Sequence, residues 1–572
     1  MGGGHGGIVG DNGGMSEPCN IAASLPRLAR EHPGQVAMRC PGRGGRYGVE
    51  LTYAQLDARS DAIAAGLAQR GIVRGTRTVV MVRPTPEFFL VMFALFKAGA
   101  VPVLVDPGID KRALKQCLGE AEAEAFIGIP LAMLAKSLLG WAKSTRMRIT
   151  TGSRAWFADA TLAEVERDGA NAISQLADTQ PDDIAAILFT SGSTGVPKGV
   201  VYRHRHFVAQ IDMLRNAFGI EAGGVDLPTF PPFALFDPAL GLTSIIPDMD
   251  PTRPARANPR KLHAAIEKFG VDQLFGSPAL MRVLSGHGEP LPSLKRVTSA
   301  GAPVPPDVVS KMLKLLPDDA CFWTPYGATE CLPVAVIEAR ELQGTRAATE
   351  SGAGTCVGRP VRPNEVRIVR IGDEAIAEWN DALLVGIGQV GEITVAGPTA
   401  TDAYWNRDAQ TKLAKIREVL PDGTQRIVHR MGDLGWFDAQ GRLWFCGRKS
   451  QRVVIDEATT LCTEQVEPVF NTHPEVARTA LVGVGARGSQ RPLLCVELKR
   501  GVDAKQWPRI VEELRHIADG FVHTAKVEGF LRYSKPFPVD IRHNAKIGRE
   551  KLAIWAAKNL PSLQGRGGSE LP

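Results

Sequence analysis

The sequence predicts an α/β protein of more than one domain. Three observations carry this: a length of 572 residues, an alternation of helical and strand patterns over residues 51–217, and a β-rich stretch followed by a second, shorter alternation. One hydrophobic core rarely organises so long a chain. Helices and strands that alternate imply a parallel sheet covered by helices.

Residues 51–70 (LTYAQLDARSDAIAAGLAQR) place apolar side chains at helical spacing, and Gly71 and the β-branched run 76–82 follow. A helix and then a strand are expected there. Residues 87–97 read as a second helix and 101–105 as a short strand closed by Asp106-Pro107. Residues 184–189 read as a buried strand that leads through a Gly/Ser/Thr-rich loop into a helix over 206–217. The stretch 391–438 is β-rich, with IVHRMGDLGWF ahead of the strand-like RLWFCGR, and charged residues then cluster at 448–452. From Glu464 to a last helix at 551–559 the pattern is again helix, strand, helix, strand. The expected organisation is a Gly-rich tail at 1–14, a large domain over 15–448, a small domain over 449–560 and a second tail at 561–572.

With 44% hydrophobic and 22% charged residues, the chain has the composition of an ordinary globular protein. The net charge of +6 comes from 67 basic and 61 acidic residues without a long basic run, so neither nucleic acid nor a membrane is expected as the main partner. A mildly positive surface suits an anionic substrate. The nine cysteines contain no CxxC pair and cannot all pair internally, which points to reduced thiols and a cytoplasmic location. The longest apolar run, 88–96, ends at Lys97. That is far short of the roughly 20 residues that cross a bilayer, and the N-terminus lacks the apolar core of a secretory signal.

The chemistry concentrates in TSGSTGVPKGV, from Thr190 onward. Small residues here (Ser191, Gly192, Ser193, Thr194, Gly195) let backbone N–H groups approach a polyphosphate, hydroxyls add donors, and Lys198 supplies a positive charge. The order is not the GxxxxGK[ST] of P-loop NTPases. Taken alone, the segment reads first as a Ser/Gly-rich surface turn.

Companion segments change that reading. In chain order they are LTYAQL (51–56), FKAGAVPVLVDP (96–107), FTSGSTGVPKGV (189–200), YGATE (326–330), GEI (391–393), MGDLGWFD (431–438), GR (447–448) and NAKI (544–547). On these segments the chain resembles the adenylate-forming superfamily of acyl-CoA synthetases, peptide-synthetase adenylation domains and luciferases, over nearly its whole length. The resemblance implies ATP and Mg²⁺ as cofactors, a large N-terminal domain of α/β subdomains with a β-barrel-like subdomain, and a small, mobile α+β C-terminal domain. It also implies roles for individual residues. Thr190 to Lys198 would take the β- and γ-phosphates, Gly301, Ala302 and Pro303 the adenine pocket, and Tyr326 the adenine face. Thr329 would touch the α-phosphate, Glu330 would hold Mg²⁺, and Asp433 and Arg448 would bind the ribose. Lys546 would reach into the site during adenylation. Singly, Asp433 also reads as a turn residue, Glu330 as a helix-start charge, and Arg448 and Lys546 as surface cations.

Two departures bear on the second half of the reaction. Acyl-CoA synthetases place a glycine after the hinge where pantetheine passes, whereas this chain reads RVVIDEATT (452–460) there, with two acids and no glycine. The hinge position is Gln451. In FPPFALFDPALG (230–241), Phe230, Phe233 and Phe236 are candidates for an acyl pocket, although such residues also serve as plain core. His204 is grouped with them, with a structural role expected ahead of a catalytic one. Within the superfamily, the combination of FTSGSTGVPKGVVYRH, FPPFALFDPALG and DIRHNAKIGREKL is most similar to the β-lactone synthetases of bacterial long-chain olefin biosynthesis. That resemblance implies a 2-alkyl-3-hydroxyalkanoic acid as substrate. It also implies pathway partners: a thiolase-like condensing enzyme, a reductase and a β-lactone decarboxylase. A long-chain fatty acyl-CoA or carrier-protein ligase stands as the alternative.

Overall fold

The computed structural model describes residues 19–106, 109–154, 156–172, 176–190, 197–539 and 547–560. The alternation seen in the sequence becomes a seven-stranded sheet. Its spatial order is Ala160–Thr161, Met147–Thr150, Ala125–Gly128, Arg77–Met81, Val101–Val105, Ile184–Thr190 and Lys198–Arg203. All neighbours are parallel except the last pair. That antiparallel strand departs from the expected loop-to-helix passage. The β-branched and aromatic run Val200-Val201-Tyr202 turns back to pair with Ile184–Thr190 before helix His204–Phe218 begins.

Helix Tyr53–Ala68 starts later than its apolar spacing suggests, because Leu51 and Thr52 close the strand Tyr47–Thr52. Thr52 caps the helix in a reciprocal pair with Gln55. Helix Pro86–Lys97 is apolar on every side and is buried from Phe88 onward, as a helix at the centre of a large core must be. Its one buried cation, Lys97, is paired to Asp57 at 2.6 Å and Asp61 at 2.7 Å.

A second sheet of fourteen strands begins with Tyr47–Thr52 and Val36–Pro41 and continues through Thr243–Ile245, Val225–Pro228, Gln273–Gly276, Arg296–Ser299 and Cys321–Ala328. From Val36–Pro41 to Cys321–Ala328 the strands are parallel. The β-rich region expected as barrel-like continues this sheet as antiparallel strands, joined through the pairing of Ala335 with Pro360. The carboxyl ends of the parallel strands lie at Pro228, Gly276 and Ser299 in this sheet and at Met81, Val105 and Thr190 in the other. Crevices beyond such ends are where open α/β sheets bind ligands.

The C-terminal part is α+β. Strands Val476–Val484, Arg491–Leu498 and Gly529–Arg532 form a three-stranded sheet. One face packs on helices Thr463–Phe470 and Trp507–Asp519 through Val466, Phe470, Ile510 and Leu514, and the other on helix Arg549–Asn559 through Leu552 and Ala556. The two parts are tied where they join. Lys449 and Arg430 both bind the buried Glu392, at 2.9 and 2.6 Å. Among the described residues no helix is long and apolar enough to cross a membrane.

Candidate active site

A single cavity of about 1440 Å³ runs between the carboxyl ends of the two sheets. Its lining includes Thr190, Lys198, Gly301, Tyr326, Asp433's neighbour Gly432 and Arg448, together with the apolar Met81, Phe88, Met92, Phe96 and Leu104. Thr329 and Glu330 lie in the same wall.

Thr190 and Lys198 face each other as the last and first residues of paired antiparallel strands. Ser191, Gly192, Ser193, Thr194 and Gly195 lie outside the described residues, as does Lys546. The Lys198 ammonium sits 4.9 Å over the Tyr404 ring, and burial lowers its pKa while the Glu330 carboxylate opposes that shift.

The turn carrying Thr329 and Glu330 joins the antiparallel strands Cys321–Ala328 and Cys331–Glu338. Space at Gly327 is tight: a Cβ there would lie 3.0 Å from both the Cys331 carbonyl oxygen and Leu332 Cβ. The turn is clamped from two sides. The Tyr202 hydroxyl donates to the Thr329 carbonyl at 2.5 Å, and the Thr401 N–H and hydroxyl both donate to the Glu330 carbonyl at 2.9 Å. The Glu330 carboxylate accepts from the Tyr404 hydroxyl at 2.8 Å. Lys415, buried beneath Thr401, has its pKa lowered to about 8 by desolvation despite the pull of Glu330. One carboxylate is thus held by a neutral donor beside two ammonium groups. A single hard oxygen ligand of this kind suits Mg²⁺, which keeps several waters and takes its other ligands from phosphate oxygens.

Sequence reasoning missed Tyr202, Thr401, Tyr404 and Lys415. They come from two strands and a loop far apart in the chain, and none stands in a segment with a spacing of its own. Tyr404→Phe, which removes one charge-assisted donor from Glu330, is expected to slow ATP–pyrophosphate exchange by about tenfold. An unchanged rate at every Mg²⁺ concentration would show that the bond does not position the carboxylate.

Asp433 is 2% exposed. Tyr326 donates to its Oδ2 at 2.6 Å, and Arg448 Nη1 lies 3.0 Å from Oδ1. Asp433 and Arg448 are register partners in adjacent strands, with Gly432 taking a positive φ of 66° just before the acid. The Asp433 carboxylate is the first cause that raises the Arg448 pKa, so the guanidinium stays charged. The structure therefore brings Tyr326, Asp433 and Arg448 together beside Thr329 and Glu330. Such a carboxylate, fixed in place with two acceptor oxygens, has the chemistry to receive a ribose diol. Gly301, with a φ of 101°, lines the cavity, whereas Ala302 and Pro303 stand outside its wall.

Phe230, Phe233 and Phe236 all line the cavity. Phe233 packs between Phe230 at 5.4 Å and Phe275 at 4.3 Å between ring centroids. His204 does not join them, which corrects its grouping with the acyl pocket. It is fully buried at the start of helix His204–Phe218, outside the cavity wall, and desolvation lowers its pKa to about 4. Neutral and buried, it packs as core, and Tyr202 two residues earlier takes the place in the wall.

The chain is 69% identical over 556 residues to the olefin β-lactone synthetase of Xanthomonas campestris pv. campestris, covering 96% of this chain and 100% of that protein. It is 68% identical over 552 residues to the protein of the same name from Stenotrophomonas maltophilia, covering 96% and 99%. In fold it is similar to the amide bond synthetase McbA from Marinactinospora thermotolerans, with a TM-score of 0.74 at 22% identity over 94% of this chain and 99% of that one. The family model described as AMP-binding enzyme matches residues 25–405, which include both strands of the phosphate hairpin and the turn of Thr329 and Glu330. By that match and by its relatives along the whole chain, this protein belongs to the AMP-binding, adenylate-forming enzymes.

Proposed function

We propose that this enzyme activates a 2-alkyl-3-hydroxyalkanoic acid with ATP and closes it to a β-lactone. In the first half-reaction a carboxylate oxygen of the acid attacks the α-phosphorus, and pyrophosphate leaves. In the second the substrate's own 3-hydroxyl oxygen bonds to the acyl carbon, the acyl C–O bond to AMP breaks, and AMP departs with that electron pair. The observation that carries this reading is one cavity whose wall holds Tyr326, Arg448 and Glu330 together with many apolar side chains. Activated carboxylate and alkyl chains meet in it at Thr329. The olefin β-lactone synthetases at 69% and 68% identity support the substrate class and a place in long-chain olefin biosynthesis.

The residues divide the work by their chemistry. Asp433 and Arg448 hold the ribose, Tyr326 the adenine face, and Gly301 the edge of the adenine site. Thr190 and Lys198, with the loop between them, hold the β- and γ-phosphates, and Thr329 contacts the α-phosphate. Glu330 would hold Mg²⁺, which when bound neutralises charge on the pyrophosphate. Lys546 stabilises charge between the carboxylate and the α-phosphate. We place the boundary between the large and small parts near Lys449 and the pivot at Gln451, whose amide bonds Glu550 at 3.3 Å and Arg549 at 3.2 Å.

An internal nucleophile needs no channel for a second substrate, and its tethering supplies a high effective concentration that offsets part of the ring strain. The post-hinge loop fits this. Val453–Val454 and Thr460–Leu461 pair as a ribbon, and Asp456 accepts from the backbone N–H of Ala458 and Thr459, which leaves a closed, acidic tip in place of a glycine passage. The setting we propose is cytoplasmic, alongside a condensing enzyme, a reductase and a β-lactone decarboxylase.

Paired assays test the reading. With a 2-alkyl-3-hydroxy acid the enzyme is expected to release pyrophosphate over many turnovers. With the same acid lacking the hydroxyl it is expected to form acyl-AMP once and stall. Equal multiple turnover on both acids without CoA would contradict internal attack.

A further inference from the structure

Two buried carboxyl groups in the cavity wall have no part in the steps above. Asp237 opens the short helix Asp237–Leu240 directly after Phe236, and Asp226 lies in strand Val225–Pro228 just before Thr229 and Phe230. They are 4% and 8% exposed, and both line the same cavity as Thr329 and Glu330. Their side chains hydrogen-bond each other, the Ser244 hydroxyl donates to Asp237 Oδ2, and the Leu227 N–H donates to Asp226. Two carboxylates in contact cannot both ionise, so the pair holds one shared proton. Burial and this neighbour push Asp226 well above the usual carboxylate range, and burial raises Asp237 to about 7. Asp272 and Arg296 face Asp226 with opposite signs, and Tyr53 lies near Asp237.

Such a pair destabilises the fold, because no cation within ion-pairing distance compensates it among the described residues. Its position accounts for its presence. Gln210 adds an independent sign: it is buried, it lines the same cavity, and its Oε1 has no hydrogen-bond partner while its Nε2 donates to the Leu332 carbonyl. An apolar cavity with these acceptors on its wall is built to receive a hydrogen-bond donor, and the substrate acid carries one, its 3-hydroxyl.

Resting on the β-lactone reading, we infer that Asp237, backed by Asp226, is the general base of lactone closure. The hydroxyl proton passes to the carboxylate pair as the oxygen bonds to the acyl carbon and the acyl C–O bond to AMP breaks. The pair then returns the proton to solvent. A base tuned close to neutrality removes this proton most effectively near neutral pH.

The test separates the half-reactions in the full-length enzyme, using ATP–pyrophosphate exchange and single-turnover lactone yield followed by NMR in the cold. Asp237→Asn is expected to keep exchange within about twofold while closure slows by about a hundredfold and acyl-AMP persists. Wild-type closure is expected to rise with pH to a plateau with its midpoint near 7. Asp226→Ala, which removes the hydrogen bond that holds the Asp237 carboxylate down, is expected to move that midpoint to higher pH. Closure by Asp237→Asn at the wild-type rate would overturn the assignment. So would an equal fall of exchange and closure in both variants, which marks a structural role, or an unmoved midpoint in Asp226→Ala. Adenylation of the acid without a hydroxyl serves as the folding control. A wild-type enzyme that makes acyl-AMP and no lactone would instead contradict the underlying reading, so the two failures are distinguishable.

Discussion

Asp433→Ala is expected to slow ATP–pyrophosphate exchange by about a thousandfold, equivalent to roughly 4 kcal/mol. The carboxylate holds both the Tyr326 hydroxyl and the Arg448 guanidinium, at 2.6 and 3.0 Å. Its removal takes two charged acceptors from the ribose and leaves a cation in the nucleotide site without its counter-charge. Arg448 keeps some access to solvent, so the loss falls on the ATP step more than on folding. Thermal melting by circular dichroism separates the two. Exchange within tenfold of the native rate, in a folded variant, would remove Asp433 from the nucleotide site.

Lys546→Ala is expected to slow adenylate formation by two to three orders of magnitude, about 3 to 4 kcal/mol. As the acid's oxygen approaches the α-phosphate, negative charge accumulates between two groups that are already anionic, and a flexible ammonium counters it only in the transition state. Lys546 is the residue we propose for this task. Lactone closure from preformed acyl-AMP is expected to proceed in the variant, because that step builds its charge on the hydroxyl oxygen and the leaving AMP. Pyrophosphate exchange at the native rate would refute the assignment.

The parallel half of each sheet was legible because buried strands and helices in an α/β fold advertise themselves by apolar period: Val101–Val105 matches its expected bounds and Pro86–Lys97 extends its helix by one residue. The return strand Lys198–Arg203 was not, because a short apolar run following a loop reads as well into the helix behind it. In the site, Tyr326, Glu330, Asp433 and Arg448 could be read because each sits in a short segment with its own chemistry. Tyr404 and Lys415 could not, since what brings them to Glu330 is the pairing of Val200 with Tyr404 across 200 residues of chain. The carboxyl pair is the sharpest case. Asp226 and Asp237 carry no recognisable spacing, and only the placement of a helix start over a strand puts one against the other.

Identification of the product tests the central claim most directly. The enzyme is incubated with ATP, Mg²⁺ and a 2-alkyl-3-hydroxyalkanoic acid, with and without CoA, and the organic products are identified by NMR at low temperature. A β-lactone formed at the same rate in both samples, with one AMP and one pyrophosphate per lactone, is the predicted result. A thioester that requires CoA, with no lactone in either sample, would contradict the account.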